Sequence, residues 1–278
     1  MTAIQVRGLR KRYRNIQAVA GIDLDIAQGE VFALLGPNGA GKTTTVEILE
    51  GHRQRDGGTV SVLGKDPANA GRDWRARLGI VLQTATDAAG LSVLETVRHY
   101  ARYYPKARQV DEVIELCGLK EKARARVKSL SGGQRRRLDV ALGIIGTPDL
   151  VFLDEPTTGF DPEARRQFWS LIQKLAADGT TVLLTTHYLD EAEALADRVA
   201  VIARGEIVAE GTPSNLGGRS TAEATVRWVD ERGEHVVRTP VPTRFVNELS
   251  TGGGELAELT VTRPSLEDIY VDLVGGTA

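Results

Sequence analysis

The sequence of 278 residues predicts an α/β fold: a phosphate-loop core with a mixed sheet, an antiparallel β subdomain, an inserted helical lobe and a small C-terminal α+β appendage. Three observations carry that expectation. The apolar run Val31-Phe32-Ala33-Leu34-Leu35 leads into Gly36-Pro37-Asn38-Gly39-Ala40-Gly41-Lys42-Thr43 and then into a helix-forming segment. This is strand, phosphate-binding turn and helix in succession. Further apolar or β-branched runs at 78–82, 150–153 and 180–186 read as buried strands of a sheet covered on both faces. Residues 92–147 show helical periodicity and no strand, so they form a lobe inserted into the core.

Composition sets the outer bounds. A hydrophobic content of 41% supports one large core with at most a small appendage. A formal net charge of -2 gives no electrostatic reason to expect nucleic acid as the main partner. Local basic clusters at 10–14, 120–128 and 135–137 read as solvated faces. The single cysteine, Cys117, excludes an intramolecular disulfide and sits in an apolar helical stretch, where it reads as a small buried residue. The four histidines lack metal-ligand spacing, so no zinc site is expected. The apolar runs fall short of the ~20 residues that span a bilayer. The first residues lack the layout of a signal peptide. The expectation is a cytosolic chain that reaches a membrane only through a partner.

Taken in order, residues 3–7 and 22–27 read as alternating strands with residues 10–15 as an exposed loop between them. Tyr13 lies in that loop. Folded back over the phosphate turn, its ring could stack on a nucleotide base; as a strand-edge tyrosine it would have no such role. In the phosphate loop, Gly36, Gly39 and Gly41 let the backbone turn tightly and aim N–H groups at an anion at the start of a helix. Lys42 would reach the outer phosphates and the Thr43 hydroxyl would ligate Mg²⁺. Pro37, Asn38, Ala40 and Thr44 complete the cradle.

A turn-rich break at 51–58 precedes a short strand at 59–63. The strand at 78–82 ends in Gln83. In the helical lobe, Ser131-Gly132-Gly133-Gln134 marks a second helix start, with Ser131 as cap and paired glycines baring N–H groups. The chain therefore carries two candidate anion sites on two lobes. The strand at 150–153 ends in Asp154-Glu155, and ligands of parallel sheets gather beyond the carboxyl ends of strands. Asp154 would hold Mg²⁺ through its water shell, and Glu155 would polarise an attacking water as general base. An ordinary acidic turn is the plainer reading of the same pair.

Asp161-Pro162 is a helix start of cap and first-turn proline. The strand at 180–186 ends at His187, a residue able to hydrogen-bond a γ-phosphate or the attacking water. Four strands thus end in residues that bind phosphate, metal or water. A hairpin at 198–210 closes the core, and turn-forming residues place a domain boundary near 218, dividing 1–217 from 218–278. Beyond it, strands at 222–229, 235–238 and 255–262 and helices at 241–250 and 265–273 make up the α+β appendage.

This set strongly resembles the nucleotide-binding subunit of ATP-binding cassette (ABC) transporters. Leu130-Ser131-Gly132-Gly133-Gln134 is similar to that family's signature, and Tyr13, the phosphate loop, Gln83, the signature, Asp154-Glu155, Asp161 and His187 follow in the family's order. The resemblance covers 2–217, with the helical lobe at about 84–147, and implies an ATPase. The stretch 263–270 looks like the tail of subunits serving drug, antibiotic or polysaccharide exporters. Leu82 stands where many relatives have proline.

The resemblance further implies ATP and Mg²⁺ as cofactors, with Gln83 a further Mg²⁺ ligand. It implies head-to-tail pairing with a like subunit, as homodimer or heterodimer, in which Ser131, Gly132, Gly133, Gln134 and Asp161 of one copy meet the nucleotide of the other. A membrane permease would be the partner, and the location would be the cytoplasmic face of the membrane. Two other classes compete. Cassettes acting on nucleic acid or the ribosome carry coiled coils, zinc motifs or paired cassettes that this sequence lacks. A small-molecule kinase would share the phosphate loop but have no use for the signature.

Overall fold

The computed structural model describes residues 1–81, 90–230, 233–250 and 256–275. The chain opens with β1 (Thr2–Tyr13), β2 (Ile16–Ala27) and β3 (Val31–Leu35), followed by α1 (Lys42–Leu49), β4 (Gly57–Val62), α2 (Arg72–Arg75) and β5 (Leu78–Val81). The helical lobe holds α3 (Val93–Ala101), α4 (Val110–Leu116) and α5 (Gly132–Ile144). The core resumes with β6 (Leu150–Asp154), α6 (Pro162–Ala177), β7 (Thr181–Thr186), α7 (Leu189–Leu195), β8 (Arg198–Ala203) and β9 (Glu206–Gly211). The C-terminal part contains β10 (Ala224–Asp230), β11 (Gly233–Thr239), α8 (Pro242–Ser250), β12 (Ala257–Thr262) and α9 (Leu266–Gly275).

A six-stranded sheet runs in the order β5-β6-β7-β3-β8-β9, parallel except for the antiparallel pairing of β9 on β8. Its register aligns the strand ends. Val81 lies opposite Leu153, Asp154 opposite Thr185, and Leu35 opposite Thr186. The loops that leave β5, β6, β7 and β3 therefore emerge along one edge of the sheet.

Successive side chains of β3 point to opposite faces, and two cores follow from that alternation. Val31, Ala33 and Leu35 pack with Val81, Leu138 and Phe168 against the helical lobe and α6. Phe32 and Leu34 pack with Ile4, Ile22, Ile48 and Trp74 against a three-stranded antiparallel sheet of order β2-β1-β4.

One expectation is corrected. The loop expected at 10–15 is strand for most of its length, because β1 and β2 pair up to Tyr13 and Ile16. The reversal is confined to Arg14 and Asn15, with Arg14 at φ 52. A ladder with a partner strand imposes extended structure on a polar, basic run that has no alternating pattern of its own. The strands at 224–262 make their own sheet, β11-β10-β12, but α9 returns to the core. Leu266 is buried there among the residues that pack against α6 and β8, and a Cβ on Gly217 would lie 2.6 Å from Ile269 Cγ2. The last helix is thus part of the first core's packing.

Candidate functional site

The loop between β3 and α1 is held by its own atoms. Lys42 Nζ donates to the carbonyls of Gly36 at 2.6 Å and Pro37 at 3.2 Å, and the Ala40 N–H donates to Pro37 O. Gly41, at φ 109, is the N-cap of α1 and offers no capping side chain, and the first turn carries no acid. A helix start left without a side-chain cap or carboxylate suits an anion. Burial pushes the Lys42 ammonium down from its ordinary range, while the carboxylates of Glu155 and Asp154 oppose that shift. Only glycine fits at Gly36, where a Cβ would stand 2.4 Å from Ile202 O.

Beside this loop, the end of β6 brings two acids to the same cleft. The Thr185 hydroxyl donates to Asp154 Oδ1, and the Glu155 N–H donates to Thr185 O at 3.0 Å. Glu155 takes φ 44, a left-handed conformation uncommon outside glycine that costs of order 1–3 kcal/mol and clusters at functional sites. Its Oε1 lies 3.3 Å from His187 Nδ1, and the His187 ring is tilted at 38° to that of Tyr188 with centroids 4.1 Å apart. A cleft of about 540 Å³ is lined by Tyr13, Asn38, Gly39, Lys42, Thr43 and Glu155, with Asp154 beside them. Tyr13, the last residue of β1, lines this cleft from the strand end.

The Thr43 hydroxyl and the Asp154 carboxylate share that cleft. Hard oxygen donors beside a phosphate cradle are the set Mg²⁺ takes when it binds through one carboxylate and substrate oxygens. Among the described residues there is no cluster of three or more His, Cys, Asp or Glu able to hold an ion without a substrate. Gln83 lies outside the described residues.

The second anion site is separate from the first. Ser131, Gly132, Gly133 and Gln134 line a cleft of about 340 Å³ with Gly159, Phe160 and Asp161, and no residue of the phosphate-loop cleft is among them. Ser131 caps α5 in a capping box with Gln134: its Oγ accepts the Gln134 N–H at 3.3 Å, and the Gln134 side chain accepts the Ser131 N–H at 3.1 Å. The hydroxyl keeps its own hydrogen for an outside acceptor. Asp161 caps α6 by accepting the Ala164 N–H at 2.7 Å, as its sequence predicts, and it also lines this cleft.

The expectation of a solvated face at 135–137 is corrected for its middle member. Arg136 is 9% exposed, and its guanidinium donates to the backbone carbonyls of Asp154 and Pro156. It ties the start of α5 to the loop carrying Glu155. Helical periodicity on α5 places Arg136 one turn from Val140, a buried position, and that was the available signal. Cys117 is buried as expected, with its thiol pushed up to about 12 by burial. Sequence reasoning passed over Thr185, which holds Asp154, and Glu50, a buried carboxyl at the end of α1 raised to about 8 by burial and by the charges of Asp154 and Glu47.

Comparison with known proteins agrees with this geometry. Residues 19–158 match the family model described as ABC transporter. The chain is 39% identical to the daunorubicin/doxorubicin resistance ATP-binding protein DrrA of Streptomyces peucetius, over 99% of this chain and 93% of that one. It is 37% identical to the Nod factor export ATP-binding protein I of Cupriavidus metallidurans, over 99% and 98%. Among solved structures, it is similar to a dimeric ATP-binding cassette in a post-hydrolysis state bound to ADP and phosphate, with TM-score 0.68, 25% identity and coverage of 75% of this chain and 98% of that one. It is also similar to the ATP-binding subunit of an ABC transporter, with TM-score 0.70, 25% identity and coverage of 77% and 91%.

Proposed function

The chain belongs to the ABC transporter family of ATP-binding subunits, and from that premise we propose that it powers export of a drug-like small molecule or a lipid or polysaccharide through a separate membrane permease. It is an ATPase. The observation that carries the mechanism is the separation of the two anion clefts: the phosphate loop with its acids and the cleft of Ser131 share no lining residue. One copy grips the nucleotide from one side. A second copy, turned head to tail, brings Ser131, Gly132, Gly133, Gln134 and Asp161 to the exposed side of the phosphates.

In this reading the backbone of 36–41 and Lys42 cradle the β- and γ-phosphates, Thr43 and Thr44 follow on the first turn of α1, and the base stacks on Tyr13. Thr43 and Asp154, with Gln83 from outside the described residues, would hold Mg²⁺, which would supply positive charge against the negative charge that builds on the phosphate. Glu155 takes the proton of the attacking water, and His187, paired with Glu155, orients that carboxylate and the γ-phosphate. Charge-assisted hydrogen bonds contribute about 1.5–3 kcal/mol each, so the triphosphate holds two copies together until hydrolysis removes the γ-phosphate.

The segment after Gln83, outside the described residues, would transmit opening and closing to the permease, with the chain working at the cytoplasmic face of the membrane. No helix among the described residues is long and apolar enough to cross a bilayer. The core unit is residues 1–217 and the accessory unit 218–278, with the last helix folded back on the core. The names of the relatives support export, since they concern daunorubicin resistance and Nod factor export.

Glu155→Gln tests the core of the reading. That variant should bind ATP normally, hydrolyse it at least about a hundred-fold more slowly, and run as a dimer by light scattering with ATP present. Near-normal turnover would remove Glu155 as base, and a strictly monomeric ATP-loaded variant at every concentration would remove the paired motor.

A further inference from the structure

Glu191 lies on α7, four residues beyond His187, and is 0% exposed. Its carboxylate faces the hydroxyl of Thr186 at the end of β7, the hydroxyl of Thr157 in the loop between Glu155 and Asp161, and the indole N–H of Trp169 on α6. The positive charge of Arg136 acts on it from α5. Each of these donors belongs to a different element, and three of the elements carry residues of the site. Thr186 precedes His187, Thr157 lies between Glu155 and Asp161, and Arg136 holds the carbonyls of Asp154 and Pro156 from the helix that Ser131 caps.

The geometry of this cluster is open. Both Glu191 oxygens, Thr157 Oγ1 and Trp169 Nε1 are buried and make no hydrogen bond among the described residues, so acceptor and donors stand near one another with their bonds still to close. The Thr186 hydroxyl accepts the Tyr188 N–H at 3.0 Å, so its own hydrogen points to an acceptor elsewhere. A buried carboxylate is a poor choice for stability alone, since an apolar residue of like volume commonly serves as well or better. Its value lies in direction. A carboxylate offers about four lone-pair sites and can hold donors from several loops in one mutual arrangement.

We propose that Glu191 is a positioning residue for hydrolysis, whose carboxylate ties the strand end presenting His187 to the loop presenting Glu155 and Asp161, and keeps both in register with the helix that starts at Ser131. The inference rests on the ATPase reading. It adds that the residue facing the partner copy, Asp161, and the residue facing the γ-phosphate, His187, are set by one buried group that touches neither nucleotide nor metal.

The test uses the full chain and measures ATP affinity, KM, kcat and thermal midpoint for Glu191→Gln, Thr157→Val and the double variant. The amide keeps the shape of Glu191 but turns an N–H₂ toward hydroxyl and indole donors. Expected is a fall in kcat of about ten-fold for Glu191→Gln, with KM and ATP affinity within about two-fold, because the phosphate loop and Tyr13 are untouched. Thr157→Val should lower kcat by about three-fold and add nothing further on top of Glu191→Gln, as expected of two groups in one network. Wild-type kcat in Glu191→Gln would overturn the proposal. So would a joint loss of kcat, affinity and thermal midpoint in both single variants, which marks a purely structural acid. If Glu191→Gln fails to fold, Thr157→Val and Trp169→Phe decide: lowered kcat at unchanged ATP affinity supports the proposal, and unchanged kcat overturns it. Absence of ATPase activity in the wild-type chain would instead sink the functional reading.

Discussion

Tyr13 illustrates what a single side chain can and cannot tell from sequence. Its type and its place before the phosphate loop allow both a base-stacking role and a strand-edge role, and only the fold brings it into the cleft with Lys42 and Thr43. It is 36% exposed there, with Arg53 5.2 Å from its ring centroid and Arg53 in turn held by Glu47 at 2.5 Å. Stacking on a base contributes about 1–3 kcal/mol, so Tyr13→Ala should raise the ATP dissociation constant by about five- to a hundred-fold, with Tyr13→Trp near wild type. Equilibrium binding checks this, and an unchanged constant returns Tyr13 to the strand edge. Glu50 carries a different kind of prediction. Its carboxyl is 4% exposed and its pKa rises from 4.5 to about 8, so the folded state binds the proton more tightly than the unfolded one. The contribution to stability is fully present below about pH 4.5 and is lost as pH rises through 8. Glu50→Gln should therefore be equal to wild type near pH 4 and more stable by about 3 kcal/mol at pH 7. Thermal melts across that range test it, and a difference independent of pH would contradict it. The residue was legible as an acid closing an apolar helix, Ile48-Leu49-Glu50, but its burial depends on what packs above α1.

At the level of elements, the parts best read from sequence are those whose signal is local. The strands at 31–35, 150–154 and 181–186 and the helices capped by Ser131 and Asp161 all appear where apolar runs and caps place them. The hairpin of β1 and β2 was read short because its outer half, from Arg10 to Tyr13, is basic and exposed and takes its extended form from pairing with Val19, Gln17 and Ile16. The basic run on α5 shows the same dependence on neighbours. Three consecutive arginines look alike, yet Arg137 reaches Gln167 at 2.6 Å near the surface, while Arg136 turns inward to the carbonyls of Asp154 and Pro156. Removing Arg136 would leave those carbonyls buried without their charged donor. Arg136→Ala should therefore destabilise the chain by about 2–4 kcal/mol, and Arg137→Ala by less than about 1 kcal/mol. Urea unfolding reads the difference as a lowered midpoint at constant slope; equal midpoints for the two variants would remove Arg136 as the strut between α5 and the Glu155 loop.

For the whole molecule, the sheet edge explains why so many polar residues of separate segments meet, since parallel register brings the ends of β3, β6 and β7 level. That much follows from the chain alone. Within one copy Ser131 and Lys42 line different clefts, and on the proposed pairing a single copy displays only part of a nucleotide site. Head-to-tail pairing has a quantitative consequence for mixtures. In a head-to-tail pair each site takes its phosphate loop from one copy and its Ser131 from the other. A Ser131→Ala copy with a Lys42→Ala copy would then form one intact site and one doubly broken site, whereas either variant paired with itself has none. Mixing two inactive proteins at equal amounts should restore ATPase activity, to about a quarter of wild type, if half the pairs are mixed and the sites act independently. A mixture as inactive as its components would mean that both anion clefts serve the nucleotide of their own copy, or that one of them serves no nucleotide at all. The fall of restored activity on dilution measures how tightly the pair forms, since a dimer held by ATP must come apart as the copies are diluted below its dissociation constant.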